Sequence, residues 1–428
     1  MVDRTPQQFA NGTPDGLTDN TAAIQAAIDL WQPGDQVVLS GGQFRVTAPL
    51  AITSPGLVLR GDAAVKAKSG FAGSVMLGVT APGVVIDGDG LLLDQADVIV
   101  SGASVVAAGA VGLEVRNLVS RGTQQAFVRI DSGTTDLLVQ GCDHEGKGYG
   151  IVSFDAAGLA RLTFRSNRFV HPGLGTAGDG LQLNCPTFGA SEVVVVDCTA
   201  SGYIGEATDQ GMGFGFAHVT DGRIIGCRAE ACEGDAFHLE HLSHRWLCAD
   251  LRAIDIGVPT STGNGSGLIA YDCDDLTVVL MLARNCAFHG IALSGQGKDG
   301  LIPEQHRLRG RVERCEVDTT RRDGIHMTAQ RDFRIDRNLV RDPSQGNPGT
   351  YAGIHLARQG GATLENINGH GTGNTVILSG ATAPQGEIVV RAGSVDCFID
   401  GVSGGGITGE PFTDGTLFTD GTGWLDAA

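Results

Sequence analysis

Apolar side chains recur along this chain in short pieces, each a small residue followed by an apolar, a variable and, in most pieces, another apolar residue. Examples are Gly180-Leu181-Gln182-Leu183, Gly213-Phe214-Gly215-Phe216, Ala236-Phe237-His238-Leu239, Gly290-Ile291-Ala292-Leu293, Gly324-Ile325-His326-Met327 and Gly353-Ile354-His355-Leu356. The two-residue alternation predicts strands that bury the flanking apolar side chains and carry the middle residue on the opposite face. Counting also Gly150 and Gly267, the pieces start at 150, 180, 213, 236, 267, 290, 324 and 353, with separations of 30, 33, 23, 31, 23, 34 and 29 residues. Such spacing suits a solenoid whose turns carry loops of variable length. A second ladder runs in parallel: Cys142, Asn167, Cys198, Cys227, Cys286, Cys315 and Asn338 each follow an apolar run, which predicts small polar residues stacked at an inner corner.

Near the start the period changes. Ile24, Ala27, Ile28 and Trp31 fall at helical spacing, with Asp19, Asn20 and Thr21 available to cap, so a helix is predicted over about 20–31. Val37-Val38-Leu39, the Gly41-Gly42 pair and Phe44-Arg45-Val46 then read as a hairpin.

The stretch Asp15-Gly16-Leu17-Thr18-Asp19-Asn20-Thr21-Ala22-Ala23-Ile24-Gln25-Ala26-Ala27-Ile28-Asp29, with the strands after it, resembles the opening of the pectate-lyase-like right-handed parallel β-helix superfamily. The resemblance implies an all-β fold, a single-stranded right-handed parallel β-helix (solenoid) with a short N-terminal capping α-helix. The expected organisation is a cap over 1–50, the β-helix over 51–400 and a C-terminal cap or oligomerisation tail over 401–428. In the tail a glycine cluster (Gly401, Gly404 to Gly406) and a twice-written Phe-Thr-Asp-Gly-Thr stand out. The superfamily holds polysaccharide lyases, glycoside hydrolases, mannuronan epimerases and phage tailspikes, so it implies a polysaccharide partner without fixing the chemistry.

Composition narrows this. The 428 residues include 65 glycines but only 5% aromatics, and no Gly-X-Y period, which fits many tight turns between short strands. A formal charge of −18 argues against nucleic acid or an anionic membrane as the partner. Ten arginines at 307, 309, 311, 314, 321, 322, 331, 334, 337 and 341 interleave with acids and read as a solvated outer face. The ten cysteines lack metal-ligand spacing, so free buried thiols are expected, with no metal and no cofactor. The first twenty residues show no charged segment followed by an apolar run. The expectation is therefore a tailspike-like component of a phage or phage-like particle, a homotrimer by the superfamily's habit, with a secreted enzyme whose leader was removed as the alternative.

In a solenoid, aligned residues form columns about 4.8 Å apart, so distant sequence can build one site. Polysaccharide cleavage needs a proton donor at the glycosidic oxygen and a base for water or for a ring proton. Asp235, His238 and Glu240 lie in one strand, with His238 and Glu240 about 6–7 Å apart on one face. Asp179 occupies the column of Asp235 two coils earlier, about 9–10 Å away. These four are the catalytic candidates. Gln182, Asn184, Tyr271, His289, Asp323 and His326 on the strands, with His218 and His241 beside them, are the candidates for binding sugar. For Asp179 and Asp323 the competing reading is turn formation before glycine. The frame Tyr149-Gly150-Ile151 with Asp179-Gly180 resembles that of the mannuronan epimerases, but Val152 and Phe154 stand where that family has Asp and His, so epimerase chemistry is not expected. Three outcomes remain open: a lyase or hydrolase on a surface or capsular polysaccharide, a spike that only binds it, or a secreted enzyme.

Overall fold

Runs with two-residue alternation become strands, among them Leu181–Asn184, Phe214–Ala217, Phe237–Glu240, Ile291–Ser294 and Ile325–Thr328. The computed structural model describes residues 2–9, 12–95, 98, 102–173, 177–205, 211–257, 265–295, 307–346, 350–357 and 366–377 with their side chains, and beyond these the backbone of a few strands from Gly386–Val390 to Trp424–Asp426. The glycine cluster of the tail lies outside the described residues, as does most of its repeated motif. The chain divides into two compact units, Met1–Glu206 and Ala207–Ala428.

In the first unit the helix spans Thr21–Asp29 and buries Ala23, Ile24, Ala27 and Ile28. Asp19, not Asn20, supplies the side chain at its start, accepting from the Thr21 N–H at 3.0 Å. The predicted hairpin is not one. Gln36–Leu39 pairs in parallel with Val58–Gly61, whereas Gln43–Val46 pairs in parallel with Ala64–Ala67 in another sheet. The Gly41-Gly42 pair between them, at φ +78° and +125°, turns the chain from one sheet to the next. A typical coil then puts one strand into each of three sheets: Tyr149–Phe154, Leu159–Arg165 and Arg168–Val170.

The second unit repeats this plan, as in Phe237–Glu240, Trp246–Ala249 and Arg252–Ile256. The corner between its last two strands is made by one left-handed residue per coil, such as Asp250 (φ 52°), Arg314 (φ 53°) and Arg337 (φ 56°). A residue of the predicted polar ladder follows the last two of these. The Cys315 N–H donates to Asn338 Oδ1 at 2.9 Å, and Asn338 Nδ2 donates to the Val312 carbonyl at 2.9 Å. Side-chain amides thus satisfy backbone groups at a bend where no strand partner exists. Cys198, Cys227 and Cys315 are buried and unbridged, as are the other described cysteines.

The glycines before the strands in the sheet of Phe237–Glu240 are set by packing and not by a turn, as Gly324 before Ile325–Thr328 shows. A Cβ on Gly324 would lie 2.4 Å from Val340 Cγ1 and 2.6 Å from the Gly353 carbonyl oxygen. Gly324→Ala is therefore expected to destabilise by about 1–3 kcal/mol, the cost of overpacking. A lowered urea midpoint would report it, and an unchanged midpoint would show that the strand can give way.

Candidate functional site

The registers in the second unit put Gly215, His238, Ile269, Ala292, His326 and His355 in one column of the sheet that holds Phe237–Glu240. Asp235, Ser266, His289 and Asp323 occupy the column three residues earlier, as the sequence spacing predicts. Two Asp-x-x-His pairs result, three coils apart.

In the first pair, Asp235 Oδ1 accepts the N–H groups of Ser266 (2.7 Å) and Gly265 (3.0 Å) from the neighbouring coil. Its Oδ2 lies 2.8 Å from His238 Nδ1, and His238 Nε2 lies 3.2 Å from Glu240 Oε2. Burial by itself would raise the Asp235 carboxyl, but the His238 contact and the two N–H donors outweigh it and hold the group below the ordinary carboxylate value. Asp235, His238 and Glu240 thus form a line whose inner end is a fixed carboxylate. The Tyr271 ring lies 5.6 Å from that of His238, and His241 Nε2 is 3.6 Å from Glu240 Oε1. Accessibility differs from expectation: the side chains of Asp235 and His238 are each 3% exposed, and Glu240 is the outer member at 14%. An alternating pattern places a residue opposite the core, but whether other parts of the chain cover that face is not written in the strand.

In the second pair, Asp323 Oδ1 accepts the Ala352 N–H at 2.7 Å and Oδ2 lies 2.7 Å from His326 Nδ1. Asp323 is therefore no turn former; its carboxylate is held between coils. His355 Nδ1 approaches the same Oδ2 at 3.2 Å and His289 Nδ1 at 3.5 Å. Burial raises the Asp323 carboxyl, and its hydrogen bonds to His326 and His355 more than reverse this, leaving it well below the usual range. Burial, with the charge of His326 beside it, holds the His289 imidazole neutral far below its ordinary value. Asp323 and His289 are buried, so neither can touch a sugar as a surface ligand; His326 is the open member.

The remaining candidates are dispersed. Asp179, Gln182 and Asn184 belong to the first unit, where Asp179 is fully buried and Gln182 and Asn184 pair with Val152 and Phe154. The Asp179 charge adds to burial in raising the Tyr149 phenol. His218 sits at a left-handed corner (φ 55°), its N–H bonded to the Glu240 carbonyl at 3.0 Å. The arginine-rich run also needs correction. Arg307 is not solvated but buried against Asp272, with Nε 3.1 Å from Oδ1. Arg322 stacks on Phe288, its guanidinium carbon 3.6 Å from the ring centroid. Arg314, Arg334 and Arg337 do line an open cleft of about 260 Å³ on another sheet, with Glu313 and Asp336 interleaved. His355 joins the second cluster although it was not among the binding candidates; its Gly-Ile-His frame one coil after Gly324-Ile325-His326 is the signal that could have found it.

No family model and no curated protein matches the sequence. Among solved structures the chain is similar to pre-mature gene product 12 of bacteriophage phi29, at TM-score 0.55 and 12% identity, over 93% of this chain and 52% of that one. It is likewise similar to tailspike protein 3 of bacteriophage CBA120, at TM-score 0.53 and 12% identity, over 91% of this chain and 62% of that one. The A-module of the Azotobacter vinelandii mannuronan C-5 epimerase AlgE6 matches at TM-score 0.48 and 13% identity, over 97% of this chain and 99% of that one. The chain thus spans only part of the two phage proteins. At these identities the likeness is one of fold, and the fold of this chain is a right-handed parallel β-helix.

Proposed function

We propose that the protein binds and cleaves a surface or capsular polysaccharide, with Glu240 as the group that exchanges a proton with the sugar. The observation that carries this is the Asp235–His238–Glu240 line. His238 is bonded at both ring nitrogens and buried, so it cannot itself reach a sugar. It can restore or remove the Glu240 proton, because the fixed Asp235 carboxylate stabilises an imidazolium between the two acids. His238 and Asp235 are thus positioning residues, and Glu240 is the acid or base at the surface end. The likeness of fold to a tailspike favours a tailspike-like role in a phage or phage-like particle as the setting to test.

The test is incubation of the full chain with a panel of anionic and neutral polysaccharides. New reducing ends without unsaturated products indicate hydrolysis, and ultraviolet absorbance of unsaturated products indicates a lyase. A polysaccharide that binds tightly yet releases no product would establish the binding-only spike instead.

A further inference from the structure

We propose that His289, Asp323 and His326, with His355 beside them, form a binding site for a divalent transition-metal ion of the zinc type. The donor atoms of His289, Asp323 and His326 all lie within 4.8 Å of one another. Asp323 Oδ2 is 2.7, 3.2 and 3.5 Å from the Nδ1 atoms of His326, His355 and His289. A tetrahedral ion at about 2.0–2.1 Å from nitrogen and oxygen donors sets those donors about 3.3–3.4 Å apart. The three separations bracket that edge, so a small inward and outward adjustment admits an ion in place of the His326 hydrogen bond.

The surroundings suit a metal better than a hydrogen-bond network alone. His289 Nδ1 is buried, makes no hydrogen bond and sits at the carboxylate. Asp323 Oδ1 is fixed by the Ala352 N–H, which aims Oδ2 inward in the way outer hydrogen bonds orient metal ligands. One carboxylate with two or three imidazoles selects zinc, nickel, cobalt or iron over calcium and magnesium, which prefer oxygen. The fold supplies its own control. The pair Asp235 and His238 has the same geometry, but Met212 and Ile269 hold the column positions that His289 and His355 fill at the second pair. The first cluster is therefore a proton line, and the second a ligand cage stapling three successive coils.

The experiment uses the full chain, stripped with a chelator and titrated with Zn(II) by calorimetry and with Co(II) by visible absorption. One ion per chain is expected, with an intense tetrahedral Co(II) spectrum lacking thiolate charge transfer. Zn(II) should raise the melting temperature, because an ion held only by the folded site stabilises the fold. His289→Gln and His326→Gln should each weaken binding on the order of 10²-fold, and His238→Gln should leave it unchanged. Substoichiometric binding to the folded parent would overturn the proposal, as would stoichiometric binding that survives His289→Gln and His326→Gln combined in one chain, or a spectrum showing cysteine ligation. None of these readouts depends on polysaccharide cleavage, so this site and the proposed activity stand or fall separately.

Discussion

Glu240→Gln is expected to lower turnover of a cleaved polysaccharide on the order of 10²-fold or more, the usual loss when a general acid or base is removed. Affinity for the same polysaccharide and the melting temperature should change little. Glutamine keeps the volume of Glu240, and its amide can still meet His238 Nε2, while the His238 contact with Asp235 at 2.8 Å stays in place. What is lost is the exchangeable proton at the surface end of the line. His238→Ala is a less clean experiment. It would leave Asp235 buried with only the Ser266 and Gly265 N–H groups as donors, so a fall in activity would be mixed with a fall in stability. Product formation by Glu240→Gln at the parent's rate, with the ligand bound equally well, would remove Glu240 from the mechanism.

Much of the fold was legible because the solenoid repeats its local chemistry. A landmark glycine against the next coil recurs at most turns, and a small polar residue follows several of the left-handed corners, such as Cys315 after Arg314 and Asn338 after Arg337; each leaves a mark in the sequence. The hairpin at 37–46 was misread because a solenoid corner and a hairpin share the same local signature of two alternating runs and a glycine pair. Only the partner strands, Val58–Gly61 and Ala64–Ala67, distinguish them, and those pairings are non-local. The site was half legible for the same reason. Column alignment put Asp235 and Asp323 in one column and His238 and His326 in another, since registers follow from strand spacing; that an acid meets the His three residues on was not legible for Asp323. Burial of His238 and Arg307 depends on what packs over them, and a strand's own alternation carries no trace of that.

Arg307→Met is expected to be the most destabilising single change among the charged residues described, costing about 3–5 kcal/mol at neutral pH, as when one partner of a buried ion pair is removed. Asp272 is fully buried, its Oδ1 faces the guanidinium and its Oδ2 has no hydrogen bond, while Asp274 Oδ2 lies 3.9 Å from Arg307 Nη1. Burial already raises the Asp272 carboxyl above its ordinary value, with Arg307 opposing that rise. The sign of the pH dependence follows. A group that binds its proton more readily folded than unfolded loses stability as pH rises from the unfolded carboxylate value through the folded one. Without Arg307 the folded value moves higher still, so the difference between parent and variant should be largest near neutral pH and shrink towards pH 4. Urea unfolding at pH 4.5, 6 and 7.5 measures it. The double variant Arg307→Met, Asp272→Leu should recover most of the loss, because the orphaned charge goes with its partner. A penalty that is constant with pH and not relieved by the second substitution would mean that Arg307 stabilises this corner through packing of its stem and not through its charge.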